Sequence, residues 1–352
     1  MNLLPNTRRL KKTVFFVMIC LFVLIAVEII AQFLFLARYG KFVWSQGTES
    51  FNVRSFTRAV ADPRHVTTIP NFSDSKYERY GISTDAWGFR RGTQTTILDC
   101  QSVVFIGDSV PFGWGVPDRA SMPSKLFDRL QKANDSRCVI NAAIPSYSLF
   151  QAVARFEREI LGKFKIDSIY LQFYDPVMQF VRFGAQWRPD MDWTTEPAFQ
   201  NQRSEYIASI VIVQNALRHF GVLKRNAPED FVNLKSTDQR SLDTYRLDVR
   251  GEQERLHELV VRANAKQLIV APVTVPTGAY QRLPGEYRIA IEAINDELRQ
   301  FAARHSDTSL ADTIELLKGY PEADVFVDDC CHLSERGNDI VAEYLMQIIP
   351  RK

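Results

Sequence analysis

Two stretches of this chain combine residue types that can do nucleophilic chemistry. The first is Gly107-Asp108-Ser109, followed by Gly113-x-Gly115, at the end of the apolar run Val103–Ile106. Such a β-branched and aromatic run reads as a buried parallel strand. Ser109 therefore stands where a strand hands over to loop and helix, the place where ligands bind in open α/β sheets. The second stretch is Asp328-Asp329-Cys330-Cys331-His332. Asp329 and His332 are three residues apart on a tight connection. A carboxylate there can hold the imidazole in one tautomer and leave the other nitrogen as a base. A serine hydroxyl is a weak nucleophile until a base takes its proton, and the oxyanion that develops needs fixed donors. Taken singly, each stretch has a plainer reading. The first is a capped turn with glycines, and the second a helix start capped by Ser334.

The elements that would position these residues alternate along the chain. Strands are expected at 102–107, 138–141, 166–173, 267–275 and 308–313. Helices are expected at 121–133, 149–163, 250–264, 286–304 and 334–348. Alternation of this kind predicts an α/β fold, a three-layer α/β/α flavodoxin-like parallel sheet with right-handed crossovers. Ser109, Ser146, Tyr174 and the Asp329–His332 loop then all follow strand ends on one edge of the sheet. Residues 177–247 form an insertion too long for a structureless loop, with an apolar helix near 204–219.

The chain has 352 residues, a net charge of +2, 46% hydrophobic and 24% charged residues. That is an ordinary globular balance, and it gives no basic footprint for nucleic acid. The N-terminus differs. Residues 1–12 form a basic tail with Arg8, Arg9, Lys11 and Lys12, and an apolar run from Thr13 to Leu36 follows. A run of that length predicts a transmembrane signal anchor over 13–37, with the basic flank in the cytoplasm and the rest outside, in the periplasm or on the cell surface. Glu28 inside the run flags either a functional group or a tolerated defect. Residues 38–95 read as a stalk and 96–352 as the folded domain. Five cysteines are present, Cys20 in the apolar run. Cys100, Cys138, Cys330 and Cys331 allow three full pairings, which the sequence leaves open. Cys330-Cys331-His332 is a poor zinc motif, since no second cluster completes a tetrahedron. No metal and no cofactor is expected.

The serine block and the later D-x-x-H block, in this order, resemble the SGNH or GDSL hydrolase superfamily. Asp85-Ala86-Trp87-Gly88-Phe89-Arg90 also resembles the N-x-x-G-F-R segment ahead of the serine block in secreted bacterial members. The resemblance spans about residues 80–348. It implies Ser109 as nucleophile, His332 as base and Asp329 as the residue orienting it. It also implies an oxyanion hole that uses the backbone N–H of Ser109. Val139-Ile140-Asn141-Ala142-Ala143-Ile144-Pro145-Ser146-Tyr147-Ser148 resembles the family's second block, with Ser146 in place of the oxyanion glycine. Gln172-Phe173-Tyr174-Asp175 departs from the third block, whose oxyanion-binding Asn is absent, and Tyr174 is the substitute donor. The activity implied is ester hydrolysis through an acyl-serine, on a small-molecule ester or an envelope glycan or lipid ester. The alternatives are an O-acyltransferase acting on a cell-surface polysaccharide and a catalytically weak glycan-binding module.

Overall fold

The computed structural model describes residues 7–39, 56–59, 66–74, 80–93, 97–145, 147–173, 239–283, 285–328 and 330–350. The chain divides into two compact units, one of residues 1–52 with 195–229 and one of residues 53–194 with 230–352. In the first unit the described element is helix α1 (Thr7–Tyr39). Most of its described apolar side chains are exposed, among them Phe22, Leu24, Ile30, Phe33 and Leu34. Glu28 is met within the helix, where the Gln32 amide donates to its carboxylate at 2.7 Å. Among the described residues no helix is long and apolar enough to cross a membrane.

The second unit opens with two small antiparallel pairs, β1 (Thr57–Ala59) with β2 (Val66–Thr68) and β3 (Ser73–Asp74) with β4 (Ile82–Ser83). The main sheet follows: β5 (Gln101–Gly107), β6 (Cys138–Asn141), β7 (Lys165–Gln172), β8 (Gln267–Ala271) and β9 (Thr308–Leu310). All pairs are parallel, in the order β6-β5-β7-β8-β9. The interior strand β5, between β6 and β7, buries Val103 to Ile106 completely, as a strand covered on both faces must. β8 stops at Ala271, earlier than the sequence pattern suggests, because Pro272 lacks the N–H a further rung needs.

The helices that cover the sheet are α3 (Met122–Lys132), α4 (Leu149–Arg155), α5 (Gln239–Arg262), α7 (Gly285–Arg304) and α10 (Glu335–Ile348). Short helices α2 (Ser109–Phe112), α6 (Thr277–Arg282), α8 (Thr313–Lys318) and α9 (Glu322–Val325) sit in the connections. The strand order reverses direction after β6. Right-handed crossovers therefore place α3 on one face and α4, α5 and α7 on the other. The packing agrees: α3 lies on α10, and α5 touches both α4 and α7. α4 begins with a capping box in which Ser148 Oγ accepts the Gln151 N–H at 3.1 Å and Gln151 Oε1 accepts the Ser148 N–H at 2.9 Å. α5 is longer than the expected 250–264. The helix expected at 204–219 lies outside the described residues. Of the possible cysteine pairings, the structure forms Cys100–Cys138, with Cα atoms 5.8 Å apart, and leaves Cys20, Cys330 and Cys331 as thiols. The bridge ties the entry of β5 to the first residue of β6.

Candidate active site

β5 delivers Ser109 to the carboxyl edge of the sheet. The turn out of the strand requires Gly107, whose φ is +132°; a Cβ there would sit 1.8 Å from the Gln172 carbonyl oxygen on β7. Asp108 caps the short helix that follows. Its carboxylate accepts the Val110 N–H at 3.0 Å, and the residue is fully buried. Ser109 is the first residue of α2. As the first helical N–H, its backbone donor has no intrahelical acceptor.

The far end of α2 is clamped by Arg90. Its Nη1 donates to the Phe112 and Gly113 carbonyls at 2.7 and 2.5 Å, and its Nη2 to the Val116 carbonyl at 2.6 Å. Its Nε donates to Asp118 Oδ1 at 2.9 Å, and the guanidinium lies 4.6 Å from the Phe112 ring centre. The Arg90 side chain is fully buried. A tight turn aims it: Asp85 Oδ1 accepts the N–H groups of Trp87 and Phe89 at 2.9 and 3.0 Å. Asn141, at the end of β6, adds a further bond from its amide to the Phe112 carbonyl at 3.1 Å. Backbone strands, one arginine and one amide thus hold the serine turn from three sides.

His332 approaches from the loop between α9 and α10. The loop is closed by backbone bonds, Val327 N–H to the His332 carbonyl and Ser334 N–H to the Val325 carbonyl, both at 2.9 Å. Beyond it, Ser334 caps α10 by accepting the Gly337 N–H at 3.1 Å. The buried Asn338 then locks α10 to α3, its Oδ1 accepting the Met122 N–H at 3.0 Å. The imidazole is buried, and its Nε2 lies 2.9 Å from Ser109 Oγ. Two residues 223 apart in sequence meet at hydrogen-bond distance.

The carboxylate described on the other ring nitrogen is that of Asp328, four residues before the histidine, whose Oδ2 lies 2.5 Å from His332 Nδ1. Asp329 itself lies outside the described residues. Asp328 Oδ1 accepts the backbone N–H groups of Cys330, Cys331 and His332 at 3.0, 3.2 and 3.3 Å. One carboxylate therefore shapes the loop with one oxygen and orients the ring with the other. Partial burial would push the Asp328 carboxyl up, but the His332 ring and the N–H groups of Cys330 and His332 win and hold it below the usual carboxylate range.

The other expected oxyanion residues, Ser146 and Tyr174, lie outside the described residues. Gln172, just before Tyr174, is committed to the core: its Oε1 accepts the Tyr170 hydroxyl at 2.8 Å and its Nε2 donates to the Pro272 carbonyl at 3.1 Å. Burial pushes the Tyr170 hydroxyl far up, with the Asp108 charge adding to it. Cys330, Cys331 and His332 bring possible ligand atoms within 4.8 Å of one another. Both ring nitrogens of His332 are already engaged, and burial raises the Cys331 thiol well above its ordinary range, so this group suits a protonated thiol rather than a metal centre. A cleft of about 410 Å³ opens beyond the end of β8, lined by Val273, Tyr280, Glu292 and Arg299.

The sequence of the GDSL-like lipase/acylhydrolase family, as a family-wide pattern, matches residues 103–345, a span that includes both the serine and the histidine blocks. The chain is a hydrolase acting on ester bonds. It belongs to the GDSL-like lipase/acylhydrolase family, and its parallel five-stranded sheet is consistent with the SGNH hydrolases. Similar solved structures include a lipase/acylhydrolase from Enterococcus faecalis, at 16% identity and a TM-score of 0.42, covering 71% of this chain and 95% of that one. An acetylxylan esterase from Geobacillus stearothermophilus is similar at 17% identity and a TM-score of 0.43, over 73% and 97% of the two chains. A member of the lipolytic G-D-S-L family from Veillonella parvula is similar at 13% identity and a TM-score of 0.42, over 72% and 100%. No curated protein matches the chain.

Proposed function

We propose that the chain is a serine esterase that works through an acyl-Ser109 intermediate, with His332 as general base and acid and Asp328 as the group that orients and charges against it. The observation that carries this reading is the 2.9 Å separation of His332 Nε2 from Ser109 Oγ, which is hydrogen-bond reach for a base. Ser109 Oγ attacks the ester carbonyl as its proton passes to His332 Nε2. The tetrahedral oxyanion faces the Ser109 backbone N–H, with Ser146 and Tyr174 as further donors. Collapse breaks the bond to the alcohol, which leaves with the proton from His332. Water then adds to the acyl-serine, gives its proton to His332, and free acid departs as Ser109 recovers its hydrogen. Asp328 keeps its charge throughout and stabilises the imidazolium.

We further propose that the esterase is anchored in a membrane by its N-terminal apolar run, as read from the whole sequence, and works outside the cytoplasm on an envelope glycan or lipid ester. The run from Thr13 to Leu36 would span roughly 36 Å as a helix, enough for a bilayer core of about 30 Å. The basic flank favours the cytoplasmic side for the N-terminus. The Cys100–Cys138 bridge supports an oxidising compartment. A fluorophosphonate probe on the purified chain tests the nucleophile: labelling should be lost in Ser109→Ala and His332→Ala. Labelling that persists in folded Ser109→Ala ends the reading. Release of free acid, rather than acyl-sugar, from an O-acetylated polysaccharide separates hydrolysis from transfer to a second sugar.

A further inference from the structure

At the opposite end of the sheet, where the strands begin, a second group of titratable side chains has no part in ester chemistry. Glu254 and His257 lie three apart on α5, and His305 and Asp307 lie on the turn from α7 into β9. The turn is anchored to the sheet by the Leu268 N–H bonding the Asp307 carbonyl at 2.9 Å, and by the Thr308 N–H bonding the His305 carbonyl at 3.0 Å. The two imidazoles stack with centres 3.9 Å apart and planes 32° from parallel. His257 Nε2 lies 2.8 Å from Asp307 Oδ1, and His305 Nε2 lies 2.9 Å from Glu254 Oε2. One ligating atom each from His257, His305 and Asp307 lies within 4.8 Å of the others.

The two rings stack with a carboxylate at the Nε2 of each, so imidazole nitrogens and carboxylate oxygens from α5 and from the turn before β9 are held side by side. A divalent cation seated among them would be held by both rings and both carboxylates at once. We propose that His257, His305 and Asp307, with Glu254 as fourth donor, form a binding site for a divalent transition-metal ion of the zinc type, one that ties α5 to the turn before β9.

The charge balance agrees. Around the rings stand Glu254, Asp307 and the fully buried Glu297, against Arg250 and Arg304. Arg304 Nη2 bonds Glu254 Oε1 at 3.1 Å and Glu297 Oε1 at 3.3 Å, and Arg250 holds Glu297 at 2.8 Å. Three carboxylates against two guanidiniums leave one net negative charge, and Glu254 Oε2, which faces His305 Nε2 while Oε1 faces Arg304, is the oxygen that would turn to the ion. Two imidazoles with carboxylate oxygens are a donor set that suits zinc or its neighbours. Tetrahedral ligation at bond lengths near 2.1 Å puts ligand atoms about 3.4 Å apart. The two existing contacts are already shorter than that, and small side-chain rotations bring in the rest. The site is open to entry, with the His257 and His305 side chains 19% and 20% exposed.

The test is a titration of the full-length protein with Zn²⁺ by calorimetry, and with Co²⁺ by absorption. One ion per chain should bind, Zn²⁺ should raise the thermal midpoint, and the cobalt spectrum should show d–d bands without a thiolate-to-metal charge-transfer band. His257→Gln and His305→Gln should each weaken binding at least about tenfold and abolish the thermal shift, while ester hydrolysis without metal stays at the parental rate. Glutamine can still donate to the facing carboxylate, so these variants keep the fold; circular dichroism checks it, and Asp307→Asn serves if either fails. Absence of binding below about 100 μM Zn²⁺ overturns the proposal. So does undiminished binding in both histidine variants, or a thiolate band, which would place the ion on Cys330 and Cys331 instead.

Discussion

Replacing Asp328 by Asn is the sharpest test of how the histidine is held. Asn keeps the size of the side chain and an oxygen for the N–H groups of Cys330, Cys331 and His332, so the loop has what it needs to close. It removes the charge that faces His332 Nδ1 at 2.5 Å. Two losses follow. A unit charge about 4 Å from the imidazolium centre is worth on the order of 4 kcal/mol at an effective dielectric of 20, and the 39% exposure of the Asp328 side chain reduces that through solvent screening. The Asn amide can also donate to Nδ1, which leaves Nε2 protonated and unable to accept from Ser109. Together these should lower kcat by about 10³, near 4 kcal/mol at 1.36 kcal/mol per decade. KM should change little, because the loss falls on the transition state. The assay is turnover of a short-chain nitrophenyl ester, with the thermal midpoint as a check on folding. Asp329→Asn is the paired control and should stay within about threefold of the parent, the scale of surface substitutions. If folded Asp328→Asn remains within tenfold of the parent while Asp329→Asn loses 10³, the four-residue register is wrong and the three-residue one is restored.

Three further outcomes are expected. Arg90→Met keeps the aliphatic stem but strips the Phe112, Gly113 and Val116 carbonyls and Asp118 of their donor; it should cost about 3–5 kcal/mol in urea unfolding and lower kcat, whereas unchanged kcat at reduced stability would confine Arg90 to a scaffolding role. Cys100→Ser with Cys138→Ser opens a closure of 38 residues and should cost about 4 kcal/mol on the chain-entropy estimate, read as a lower denaturation midpoint that reductant reproduces in the parent. The buried Asp167 is pushed up by desolvation but held below the usual carboxylate range by bonds from Lys266, Arg137 and Ser168. A depressed folded-state value means that its stabilisation is present above the unfolded carboxylate range near 3.9 and lost as pH falls through the folded value. The stability gap between the parent and Asp167→Asn should therefore be widest at about pH 5 and shrink steadily towards about pH 2; a gap independent of pH would show that the charge contributes nothing.

The strands were legible because burial on both faces writes itself as short continuous apolar runs: Val103–Ile106 and Ile169–Leu171 need no context to read. The helices that cover them follow from their apolar spacing, and α5 reads short in the sequence because its first turns, with Leu242, Tyr245 and Val249 at helical spacing, overlap the expected insertion. The pairing of Cys100 with Cys138 was not legible, since only the β5–β6 register brings Ser102 opposite Cys138 and so sets the two cysteines side by side. The short helices α6, α8 and α9 carry too few residues for a period to show.

The site divides the same way, and the division has a physical cause. Ser109 and His332 could be singled out because each chemistry demands one residue type, Ser109 at the end of β5 and His332 in the loop just before α10, and the chain offers few such positions. The acid could not be fixed from spacing, because Asp328 and Asp329 are chemically identical and one residue apart. What chooses between them is a set of backbone donors. Three consecutive N–H groups converge on one oxygen of Asp328, and that convergence turns its other oxygen toward the ring. Arg90 shows the complementary case. Its segment was noticed through resemblance, yet its task follows from the α2 geometry alone. A four-residue helix cannot satisfy its own last carbonyls, and that of Phe112, like those of Gly113 and Val116 in the turn beyond α2, lies among buried residues. A buried guanidinium with five fixed donors is the side chain best able to serve three carbonyls and a carboxylate at once. The serine's position is thus set by hydrogen-bond accounting some distance from the reacting atoms, which is why residue spacing near Ser109 could announce the nucleophile but not the group that holds it still.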